Sequence, residues 1–140
     1  MNVKNELNKI RVISRLIDSD QRQIKELEHL KLNIKSPTIT GMPKQKGFIE
    51  SDKLESIIIK IDKLEEDIRS NAKELVELRN YWLVETNKLD YADQLLIKLR
   101  YFENMSWQEV ASDMNYDIRQ VHRHHGRILQ KMSLNVTQCH

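Results

Sequence analysis

The chain has little of what bends, staples or anchors a fold. Of its 140 residues, one is cysteine, two are proline and three are glycine. Cys139 has no second cysteine to pair with, so an intrachain disulfide framework is excluded and a reducing, cytoplasmic compartment is expected. No apolar run approaches membrane-spanning length. The opening MNVKNELNKIRVISRL mixes charge with apolar residues where a secretory signal would be continuously apolar. Aromatic residues make up 6% of the chain and charged residues 31%, a balance that cannot fill a large spherical core. An excess of one charge is also missing, since 23 Lys and Arg against 21 Asp and Glu leave a formal +2. Any case for a nucleic-acid partner must therefore rest on local patterning.

What is present is helical periodicity. Both prolines and two of the glycines fall in SPTITGMPKQKGF, residues 36–48, and everything outside it reads as helix. Upstream, alternating steps of three and four run through Ile10, Ile13, Ile17, Asp20, Ile24, Leu27, Lys31 and Ile34, an apolar stripe with two polar members. Downstream the same spacing gives Leu54, Ile57, Ile61, Leu64, Ile68, Asn71, Leu75, Leu78 and Trp82. Charged and amide residues lie between, as in a coiled coil. The spacing predicts a second helix from a Ser51 or Asp52 cap to about Lys88, folded against the first as an antiparallel hairpin. Residues 1–89 thus form a helical hairpin with a loop at 35–51.

The first helix is the shorter, so seam from about Leu75 to Trp82 is left over. That surplus implies either self-association or docking of the C-terminal part. Ile61, Leu64, Ile68, Asn71, Leu75, Leu78 and Trp82 are the candidate oligomerisation seam, through which a homodimer would form. Asn71 inside it would penalise wrong registers. Lys44 and Lys46 in the loop read either as a phosphate-contacting arm or as part of a flexible connector.

From Asp90 the heptads give way to short segments. Asp90 can cap a helix through about Phe102, with Leu95, Leu96, Leu99 and Phe102 as its apolar members. Ser106 with Glu109 and Asp117 with Gln120 are two capping boxes. Asn115, between them, tolerates the left-handed conformation that ends a helix sharply. Two short helices joined by a tight turn define a helix-turn-helix over residues 90–134, leaving 135–140 as a tail. Ala111 supplies the small side chain for a close crossing, Asn115 the turn, and Val121 the branched contact that holds the second helix. Val110, Met114, Tyr116 and Ile118 complete the core, with Trp107 at its edge.

With Val121 inward, His125, Ile128 and Met132 share its face, while Arg119, Gln120, Arg123, Gly126 and Arg127 point away. Guanidinium groups pair with the acceptors of guanine and carboxamides with the edge of adenine, so Arg119, Gln120 and Arg123 are expected at base edges of double-stranded DNA. His122, His124, Arg127 and Lys131 are expected at phosphates, and Gly126 would allow close backbone approach. His125 reads as a core histidine with a hydrogen bond. His122 and His125 lie three apart, but no further ligand set accompanies them, so no metal is expected. Neither a Ser/His/Asp pairing nor a phosphate-binding glycine loop occurs, so neither an enzyme nor a cofactor nor a small-molecule substrate is expected.

The segment LLIKLRYFENMSWQEVASDMNYDIRQVHRHHGRILQKM resembles the fourth region of bacterial sigma factors, in which an LRY helix precedes a W/Y-x-E-[IV]-A helix and a basic reading helix. Together with the N-terminal hairpin and its MPK loop, the chain resembles small phage-encoded late-gene regulators of the RinA and ArpU kind. Asn115 and His125 stand where sigma-like domains usually hold glycine and leucine. The resemblance implies an all-α transcription activator of packaging and lysis genes that acts with bacterial RNA polymerase. A small terminase-like DNA-packaging adaptor and a protein-interaction module that never touches DNA are the alternatives.

Overall fold

In the computed structural model the backbone is described for residues 2–35 and 45–138, and the side-chain surroundings for residues 2–34 and 51–137. The chain is all-helical among these residues. Five α-helices follow one another: α1 (Val3–Lys35), α2 (Gln45–Thr86), α3 (Tyr91–Ile97), α4 (Trp107–Met114) and α5 (Ile118–Gln138), with a π-helical turn, Lys98–Phe102, after α3. No described helix is long and apolar enough to cross a membrane.

The second helix begins earlier than its sequence predicts. Ser51 and Asp52 are exposed positions inside α2, not its cap. Once a helix is nucleated each added residue contributes a hydrogen bond, and no proline from Gln45 to Asp52 forbids extension. Of the expected loop at 35–51, residues 36–44, including Lys44, lie outside the described residues, as does the Lys46 side chain. The expected tail is corrected as well. Residues 135–138 continue α5 and Val136 is buried, because the inward row of that helix runs on from Met132. Cys139 lies outside the described residues.

The chain divides into two compact units, residues 15–72 and residues 1–14 with 73–140, so the division does not follow residue 89. In the unit formed by 15–72, Leu27 of α1 and Leu64 of α2 line one groove, and Ile34 and Ile57 line another. Numbers rise along one helix as they fall along the other, so the two run in opposite directions. Every predicted seam position here, from Ile17 to Ile34 and from Leu54 to Asn71, is buried or half-buried. Asp20, Lys31 and Asn71 keep their places at half-buried positions.

The other unit holds the main core. Val3, Leu7 and Ile10 from α1 and Trp82 from α2 pack in one cluster with Leu96, Ile97, Leu99, Tyr101, Val110, Val121, Ile128 and Met132. Leu75 and Leu78 pack against the same cluster. Of the surplus seam, Trp82 is buried in this core and Leu75 and Leu78 are half-buried against it, so part of that seam is occupied within the unit. Asn104, at φ 62°, fastens the N-terminal helix to this unit by donating to Ser14 Oγ at 3.2 Å and accepting from Arg11 Nε at 3.3 Å.

The apolar pattern expected of residues 90–102 is corrected: Leu96, Ile97, Leu99 and Tyr101 face inward, while Leu95 is exposed and Phe102 half-exposed. The segment ends in a π-helical turn, in which the amide of Glu103 bonds the carbonyl of Lys98, five residues back, at 2.9 Å. Asp90 stands at the N-cap of α3 without a side-chain cap bond. Gln94 instead reaches back to the carbonyls of Leu89 at 2.7 Å and Asn87 at 3.2 Å.

Candidate nucleic-acid interface

Local chemistry sets the angle between α4 and α5. Ser106 Oγ accepts the amide of Glu109 at 3.2 Å and donates to its carboxylate at 3.1 Å, closing the first capping box. Asn115 ends α4 at φ 58°, ψ 38°, and the amide of Tyr116 reaches the carbonyl of Ala111 at 2.9 Å. The second box opens α5: Asp117 Oδ1 accepts the amide of Gln120 at 2.8 Å, and Gln120 Oε1 accepts the amide of Asp117 at 3.1 Å. Ala111 and Val121 are buried where the two helices meet. Ile118, expected in this core, is 42% exposed, because it is the first residue of α5 and lies outside that contact.

The inward face of α5 is anchored by a buried polar contact. His125 Nε2 lies 2.6 Å from Tyr101 Oη. Burial first, then the charges of Lys4, Arg100 and His122, lower the histidine from 6.5 to about 4. Burial raises the tyrosine to about 12 against the opposing pull of Arg100 and Arg11. Both partners are neutral at neutral pH, so the contact is a hydrogen bond without charge. Trp107 closes over it, with its ring centroid 4.5 Å from His125 and 4.9 Å from His122, and with the Arg100 guanidinium 4.2 Å away on top. Tyr101 and Arg100 thus line the candidate site through His125 and Trp107, contacts that the basic pattern of α5 alone does not point to.

The outward face divides into two groups. Arg119 and Arg123 are exposed, and neither has a hydrogen-bond or ion-pair partner among the described residues. Gly126 lies between this group and the next, and a Cβ added to it would meet nothing within 4 Å. Arg127 and Lys131, one turn further on, are held by the buried carboxylate of Asp93, at 3.6 and 3.3 Å. Arg127 also contacts His124 Nδ1 at 2.8 Å, and His124 stacks on Tyr116 with centroids 5.2 Å apart. Gln120 spends its carbonyl oxygen on the capping box and keeps its amide nitrogen.

The structure thus brings Arg119, Gln120, Arg123 and His122 to one exposed surface, and turns Arg127, Lys131 and His124 toward internal partners. Asp93 could not be found by local spacing, because its partners lie more than thirty residues away. Among the described residues no three His, Cys, Asp or Glu side chains stand together as metal ligands. No protein-family model, curated protein or solved structure matches the chain.

Proposed function

We propose that the chain is a sequence-specific DNA-binding transcription regulator without enzymatic activity. In this reading α4 and α5 are a helix-turn-helix akin to the fourth region of sigma factors, and α5 enters the major groove. The antiparallel pair of α1 and α2 is a hairpin that meets other proteins, bacterial RNA polymerase among them. The observation that carries the reading is the pair Arg119 and Arg123, exposed and unpartnered on α5 one turn apart. Leaving two guanidinium groups free beside a buried carboxylate that engages their neighbours fits a surface awaiting base acceptors. Control of phage late genes is the most specific form of the proposal and rests on the resemblance to the RinA and ArpU regulators.

A gel shift with late-promoter DNA, with and without polymerase, tests it. Arg123→Ala is expected to weaken specific binding by about 1–3 kcal/mol and to relax preference at one base pair. Equal loss on every sequence would make Arg123 a phosphate contact, and absence of any DNA binding would overturn the proposal. Assembly into a ring of many copies would favour a packaging adaptor instead.

A further inference from the structure

The unit formed by residues 15–72 carries an apolar face that its own two helices do not cover. If the seam positions are counted as a and d of a heptad, Leu16 and Leu30 both fall at g on α1. They are 47% and 51% exposed. An a/d stripe suits a helix with one neighbour, whereas a stripe widened to g suits a helix facing two. On that side Leu27 and Leu64 are themselves only half-buried, and they floor a groove of about 340 Å³ flanked by Leu30.

The rim of the groove is charged, with both signs present. Glu26 stands on the α1 side and Lys60, Lys63 and Asp67 on the α2 side, where the two lysines outnumber the one acid. None of these four has an ion-pair partner among the described residues. A two-fold axis parallel to the helices would lay α1 of one copy on α2 of the other at the same level. That operation sets the Glu26 edge of each copy against the α2 edge of the other, on which Lys60 and Lys63 outnumber Asp67, while Leu16, Leu30, Leu27 and Leu64 meet across the axis. The two edges are therefore opposite in net charge when the surface meets its own copy.

We propose that this face is covered by a second copy of the chain, the two helical pairs forming a four-helix bundle. The proposal goes beyond DNA recognition and needs no DNA for its test. Sedimentation equilibrium of the full chain, over a wide range of concentration, should give a dimer. Leu30→Glu changes an exposed position, so its helix content by circular dichroism should match the wild type while its dimer dissociation constant rises about tenfold or more. Glu26→Lys should also weaken the dimer, and adding Lys60→Glu and Lys63→Glu to it should restore the dimer. A wild type that stays monomeric throughout, a larger ring, or charge reversals that leave the mass unchanged would each overturn the proposal.

Discussion

Lys131 Nζ lies 3.3 Å from Oδ2 of Asp93, a carboxylate that α3 carries into the core. Arg127 approaches the other oxygen at 3.6 Å. One acid therefore ties α3 to α5 and withdraws two cations from the field that a nucleic acid would meet.

Asp93→Asn keeps the shape of the side chain and removes its charge. The two pairs are half open to water on their basic side, so the loss of folding stability should be about 1 kcal/mol. Arg127 and Lys131 would become available to phosphates. Under the DNA-binding reading, binding to non-specific duplex DNA should tighten, and the dependence of the logarithm of affinity on that of salt concentration should steepen by up to about two charges. Denaturant unfolding and a salt titration measure the two effects separately.

The buried histidine gives folding a pH dependence with a definite sign. His125 titrates at about 4 in the fold and at 6.5 when unfolded, so between those values the unfolded chain binds the extra proton. Its contribution is complete above pH 6.5 and is lost as pH falls through 4, a change on the order of 3 kcal/mol. Stability measured by urea unfolding should decline over that window in the wild type. His125→Gln should flatten this part of the profile.

Gly126 sits within α5 with open space where a side chain would be. Gly126→Ala should therefore stabilise the fold by about 1 kcal/mol through helix propensity alone. Under the DNA-binding reading it should also weaken binding, because a methyl group would stand between α5 and a close phosphate or base. A variant with raised melting temperature and lowered DNA affinity is the expected combination, read by thermal unfolding and the gel shift together.

The heptad seam could be read from sequence almost residue by residue, because burial on a two-helix contact follows a period that composition displays. Ile57, Ile61 and Trp82 are buried where the spacing places them. Both capping boxes were equally legible, since each is a contact between residues three apart. The cluster that takes in Trp82 and packs against Leu75 was not, because Val3, Leu7 and Val121 join it only through the tertiary fold. The π-helical turn at Lys98–Phe102 was not legible either, since neither propensity nor apolar spacing registers one extra residue in a helical turn. At the candidate site, exposure of Arg119 and Arg123 followed from the helix period. The capture of Arg127 and Lys131 by Asp93 did not, since a charge on an outward arc can still bend back to a distant acid.

Gathering Val3, Leu7 and Ile10 into one cluster with Val110 and Val121 means that residues of α1 find their partners only after a long further stretch of chain has been made. Asn104, whose bond to Arg11 spans 93 positions, emerges long after the helix it fastens. Until then that apolar edge is open to chaperones or to wrong neighbours. A fragment cut at residue 90 to isolate α4 and α5 would lack Val3, Leu7, Ile10 and Trp82 of the core. Fragments meant to study those helices should carry the amino-terminal segment with them.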